Sequence, residues 1–91
     1  MLTVNITADD IKQGERLSLT HNPVSLALKR AIETAYQDGP VDIVVSMQSD
    51  TAYDCLHSVT YFLPPSAQAY LRYYNAKGKR RAKPYTFAVL R

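Results

Sequence analysis

Between Asn22 and Pro40 the chain reads NPVSLALKRAIETAYQDGP, and this stretch limits the fold more than any other. Val24, Ala27, Leu28, Ala31, Ile32, Ala35 and Tyr36 recur at the three- and four-residue spacing of one helix face. Asn22 suits the N-cap and Pro23 the first helical position, while Gly39 and Pro40 predict the stop. A helix apolar along one stripe has to lay that stripe on another element, so a sheet or a second helix must lie beneath it.

The flanking segments supply strands. In LTVNIT, Leu2, Val4 and Ile6 alternate with Thr3, Asn5 and Thr7, the period of a half-buried strand. Thr7 and Asp10 then form a capping-box pair that predicts a short helix, with Gly14 as a left-handed stop. VDIVVSM predicts a strand with Val41, Ile43, Val45 and Met47 facing inward. QSDTAYD reads as a turn, and CLHSVTYFL as a second strand closing a hairpin. Pro64 and Pro65 open a helix with a buried stripe of Ala67, Tyr70, Leu71 and Tyr74, closed by Gly78. PYTFAVL alternates again as the last strand. The expected order is β–α–α–β–β–α–β. It implies one α+β domain over 1–91, with a mixed sheet of about four strands and two to three helices on one face.

Cys55 is the lone cysteine, so packing without a disulfide must hold the fold, which fits a reducing compartment. The start, MLTVNITADD, lacks the basic and apolar regions of a signal peptide, and no apolar run is long enough to span a membrane. A cytoplasmic setting is therefore expected. Charge is divided unevenly. Residues 1–54 hold all eight acids against four bases, a net −4, whereas residues 55–91 hold seven bases and no acid, a net +7. That split points to an anionic partner, or to a second copy of the chain meeting it head to tail.

Four segments, ITADDIKQG, NPVSLALKRA, LPPSAQAYLRYYNAKGK and KPYTFAVL, together resemble a family of small, functionally uncharacterised phage and prophage proteins. The family pattern is a threonine-capped "DI..G", a "P.ALAL..A" helix, an "LP..A..F...F..GK" helix and a closing "PF.F.L" strand. The likeness covers both ends of the chain and leaves residues 41–60 unmatched. It implies a phage origin, hence a host cytoplasm, and a fold built on caps and a core stripe. It carries over no catalytic residue. The family has a short loop between "GK" and the closing proline; here RRAK fills that place, with Arg80 and Arg81 as additions.

KGKRRAKPY carries Lys77, Lys79, Arg80, Arg81 and Lys83 with no acid nearby. Arginines there can fork onto phosphate and lysines add point charge. As a bland alternative, a basic loop also suits the negative end of the preceding helix. In YLRYY, Tyr70 and Tyr74 share the buried stripe, which leaves Arg72 and Tyr73 as a contact surface beside the loop. The candidate anion- or partner-binding set is therefore Arg72, Tyr73, Lys77, Lys79, Arg80, Arg81 and Lys83.

DCLH brings Asp54, Cys55 and His57 together, but without the ligand spacing of a metal site or the pairing of a nucleophile with a base. A small buried cysteine and a surface histidine are expected, and His21 is read as a plain surface residue. Gly14, Gly39 and Gly78 lie too far apart for a phosphate loop. No catalytic residue, metal or cofactor is expected, and the chain is not expected to be an enzyme. The sequence reading is a small phage accessory protein that binds a host protein stoichiometrically, in the manner of an inhibitor of a defence system of the anti-CRISPR type. The alternative is a binder of nucleic acid or of a phosphorylated nucleotide through residues 72–83. A homo-oligomer, with the acidic half of one copy against the basic half of another, is the third.

Overall fold

Eight elements follow one another in the computed structural model, which describes residues 1–46 and 48–90. They are β1 (Leu2–Ile6), α1 (Ala8–Gln13), α2 (Pro23–Tyr36), β2 (Ile43–Ser46), β3 (Thr51–Asp54), β4 (Val59–Phe62), α3 (Pro65–Lys77) and β5 (Tyr85–Val89). The α+β class is as expected. The sheet arrangement differs from expectation: the strands form two antiparallel sheets, β1–β5 and β2–β3–β4, in place of one mixed sheet.

The physical reason lies in residues 48–58. QSDTAYD is not simply a turn, because Thr51, Ala52, Tyr53 and Asp54 alternate out and in and pair with β2 from Ile43↔Asp54 to Ser46↔Thr51. Asp54 then turns the chain, so Cys55–Ser58 form a tight turn and the next strand begins only at Val59. Three short strands in succession can pair with their neighbours as a meander, and none is left to run parallel to β1. The inward alternation of Val41, Ile43 and Val45 holds, while Met47 lies outside the described residues.

Asn22 and Ser25 cap α2 reciprocally: Ser25 N donates to Asn22 Oδ1 at 2.8 Å and Asn22 N to Ser25 Oγ at 3.0 Å. Val24, Ala27, Leu28 and Ile32 are buried, and α2 packs on β1 of one sheet and on β2 of the other. The outer half of the predicted stripe is less covered, with Ala35 exposed. The helix stops at Gln37, whose left-handed backbone (φ 58°) caps it two residues before the predicted Gly39. Beyond that turn, α2 holds the lead-in to β2 as a neighbouring strand would. Val41 N donates to Glu33 Oε2 at 2.8 Å, and Lys29, ion-paired with Glu33, donates to Val41 O at 3.0 Å.

The capping box at α1 is formed by Thr7 and Asp10. The Asp10 carboxylate also takes a fork from Arg30, with both contacts at 2.7 Å, and Arg30 donates in addition to Asn5 O at 2.6 Å. One guanidinium thus joins α2 to α1 and to the outer edge of β1. Burial alone would push the Asp10 carboxyl up; the Arg30 bonds and the Thr7 N–H outweigh it and hold it below the usual carboxylate value.

Gly14 is not the left-handed stop predicted. Its backbone is extended (φ −68°), and glycine is required for another reason. A Cβ there would lie 2.9 Å from Asp10 O, 3.0 Å from Pro23 Cδ and 3.1 Å from the Tyr74 hydroxyl. The start of α2 and a side chain from the last turn of α3 close over that position. Gly78 does have a positive φ, 82°, and ends α3.

Candidate functional site

The basic segment leaves α3 at Gly78 and returns to the fold at β5, so its geometry is set by what holds the loop 79–84 against the helix. Tyr70 does this. Its hydroxyl donates to Lys83 O at 2.7 Å, and its ring stacks on Tyr85 with centroids 5.6 Å apart and planes 14° from parallel. Tyr85 in turn stacks on Phe87 at 6.4 Å. Burial pushes the Tyr70 hydroxyl up to about 12, so it stays protonated and keeps donating across the physiological range.

Tyr70 and Tyr85 lie along an open groove of about 340 Å³, lined also by Tyr73, Arg81, Ala82, Lys83 and Pro84, while Phe87 is buried in the core. Tyr73 is exposed, at 44% of its full surface. The groove therefore offers aromatic surface with two cations at its rim, an arrangement able to take a planar ring and an anionic group together.

The seven predicted residues divide into three groups. Tyr73, Arg81 and Lys83 line the groove together. Arg72 and Lys79 are engaged elsewhere. Arg72 pairs with Asp50 at 3.2 Å in the β2–β3 turn, and Lys79 Nζ donates to Lys12 O at 2.7 Å, satisfying a carbonyl at the end of α1. Lys77 and Arg80 are exposed beside the groove. Among the described residues, Lys77, Arg80, Arg81 and Lys83 meet no acid within salt-bridge distance. Sequence reasoning does not single out Tyr85 as a site residue, and its helical spacing assigns Tyr70 to the buried stripe. The alternation of PYTF places Tyr85 and Phe87 on one face, but only the return of β5 beside α3 turns Tyr85 toward Tyr70.

A second cluster stands at the β3–β4 turn, where the sequence reading of DCLH is reversed. Cys55 is exposed and His57 is the enclosed residue. The two do not share a strand face, because both lie in the turn. Asp54 is fully buried and organises it: its Oδ1 accepts from Leu56 N at 2.9 Å and His57 N at 3.0 Å, and its Oδ2 meets His57 Nδ1 at 2.6 Å. The other ring nitrogen, Nε2, meets Asp38 Oδ2 at 2.9 Å, and the ring stacks on Tyr36 at 4.0 Å.

With a carboxylate at each nitrogen, only the imidazolium can donate to both. The bond to Asp38, then that to Asp54, raises the His57 pKa above the usual 6.5. Neither nitrogen is left to act as a base, and among the described residues no three metal-ligating side chains are placed to hold an ion.

A folded-state pKa above the unfolded one gives stability that is complete below the unfolded value, about 6.5, and lost as pH rises through the folded value. The melting temperature is therefore expected to fall as pH rises from 6 past neutrality, and to fall less in His57→Gln. Melting curves between pH 5.5 and 8.5 for both proteins check this; parallel profiles would remove the clasp as the cause.

No helix among the described residues is long and apolar enough to cross a membrane. In comparisons with known proteins, no family model, no curated protein and no solved structure matches this chain.

Proposed function

We propose that this chain acts by stoichiometric binding, and that it docks a phosphate-bearing ligand of the nucleotide or single-stranded nucleic-acid class in the groove between α3 and the loop 79–84. The observation that carries this reading is the meeting of an exposed tyrosine, Tyr73, with Arg81 and Lys83 in one groove where neither cation has an acidic partner among the described residues. A solvated basic loop accounts for the charges, and packing of the loop on α3 accounts for Tyr70 and Tyr85, but neither gives a reason for the exposed Tyr73 beside them. In this reading Lys77 and Arg80 add positive field around the groove, and Arg72 and Lys79 serve the fold.

The sequence resemblance to small phage proteins supports a setting in a host cytoplasm, with the bound nucleic acid or nucleotide belonging to the host or to one of its defence complexes. Docking on a host protein alone, as in inhibition of the anti-CRISPR type, uses the same face if that protein presents an acidic surface. It does not call on Tyr73 as a stacking platform.

Fluorescence titration with a short single-stranded oligonucleotide and with mononucleotides, at 20 to 300 mM salt, distinguishes these readings. Binding to the oligonucleotide is expected to weaken with salt with a log–log slope of up to about −2.8, from roughly −0.7 for each of four cations on a single strand. Replacing Arg81 and Lys83 with Glu is expected to abolish binding. Tyr73→Ala is expected to cost about 1–3 kcal/mol through lost stacking. Flat titrations at low salt would reject the proposal, and a Tyr73→Ala variant that binds normally would leave charge alone as the basis.

A further inference from the structure

The three-stranded sheet has two edges, and the fold treats them differently. At the β2 edge, Val45 N donates to Leu19 O at 2.8 Å, so the segment before α2 covers part of it. β4 forms the other edge. Leu63 N donates to Asp50 O at 3.0 Å, one step beyond the Thr51↔Phe62 pair, and this fixes the parity of the ladder. Bonded and non-bonded pairs alternate between antiparallel strands. Ala52↔Tyr61 and Asp54↔Val59 are then the bonded pairs, and the N–H and C=O of Thr60 and Phe62 face away from β3. No described residue bonds to these four groups.

The side chains on that edge are equally unprotected. Phe62 is 75% exposed, and Tyr53, opposite Thr60, is 41% exposed on the same outward face. From Cys55 through Leu71 there is no Asp, Glu, Lys or Arg. Edge strands are ordinarily guarded by charge, a proline or a bulge, because their free groups template another strand. β4 has none of these within its length.

We infer that β4 pairs with β4 of a second copy of this chain, joining two three-stranded sheets into one of six strands. The edge matches itself. An antiparallel pairing about a two-fold axis at Tyr61 sets Thr60 of each copy opposite Phe62 of the other, and the free donors and acceptors satisfy one another in four hydrogen bonds. No like charges face across the contact, although each copy carries a net +3. The Phe62 rings, diagonal to each other on the outward face, gain cover from the partner strand. A strand of four residues makes a small interface, so the dimer is concentration-dependent. It rests on a surface separate from the basic groove and stands whether or not the groove binds nucleotides.

Sedimentation equilibrium from about 1 μM to 1 mM, with amide hydrogen exchange at both ends of the range, tests the inference. Expected are a monomer–dimer equilibrium and protection of the Thr60 and Phe62 amides that appears only at high concentration, while the Tyr61 amide is protected throughout. Phe62→Lys is expected to raise the dissociation constant at least tenfold, and Thr60→Pro, which removes an N–H that β3 does not use, to do the same. The exchange pattern of the unmodified protein decides the matter even if a variant folds poorly. A monomer at every concentration overturns the inference. So does a dimer that both variants leave intact, or one that dissolves in salt, as contact between the acidic and basic halves would.

Discussion

Truncating Tyr74 to alanine is expected to destabilise the fold by about 3–5 kcal/mol, the range for removing a large buried ring from a core. Tyr74 is completely buried in α3, and its hydroxyl reaches Ile11 O in α1 at 3.4 Å. The bare Cα of Gly14 makes room for that hydroxyl. Deleting the ring opens a void where three helices converge, and backbone on two sides limits collapse into it. A domain of this size is stable by about 5–15 kcal/mol, and each kcal/mol moves its melting point by about 4–8 °C. A fall of at least about 12 °C follows. Tyr74→Phe keeps the ring and gives up only a long hydrogen bond, so about 1 kcal/mol or less is expected. Urea denaturation followed by circular dichroism separates the two; equal losses would mean that the bond, and not the packing, matters.

Asp54→Ala is expected to cost about 3 kcal/mol. Its carboxylate accepts from two turn N–H groups and from the His57 ring, and an alanine side chain offers none of the three an acceptor. Hydrogen bonds to a charged group contribute about 1.5–3 kcal/mol each at most, and water entering the turn offsets part of their sum. Asp54→Asn retains one acceptor for the turn and is expected to lose about half as much. In both variants the His57 imidazole, followed by NMR, is expected to titrate at lower pH than in the parent protein, because one of its two anionic neighbours is gone. An unchanged imidazole titration would show that Asp38 alone sets it.

Much of the fold could be read from periodicity and caps. The α2 stripe, the Thr7–Asp10 box, the Asn22–Pro23 start and the end strands all depend on near neighbours in sequence. The errors arose where distant segments decide. Thr51–Asp54 is too short and polar to be recognised as a strand alone, and becomes one because β2 lies on one side of it and β4 on the other. Gly14 looks like a helix stop, yet its role is set by Pro23 and Tyr74. The candidate groove followed the same rule. Tyr73, Arg81 and Lys83 were legible as exposed and basic, whereas the capture of Arg72 by Asp50 and of Lys79 by Lys12 O depends on how α3 lies against the rest. The enclosure of His57 is not legible in the sequence, because Asp38 and Tyr36 reach it from the end of α2.

The pairing of β1 with β5 bears on the time course of folding. Leu2 lies opposite Val89 and Ile6 opposite Tyr85, so the small sheet closes a loop containing nearly the whole chain. The α2 and β2–β4 region can assemble from contacts close in sequence, but β1 has no strand partner until residues 85–89 have emerged from the ribosome. Contacts of such separation form late and slow the folding rate. During synthesis β1 must wait, held to α2 by the Arg30 bond to Asn5 O, until residues 85–89 arrive.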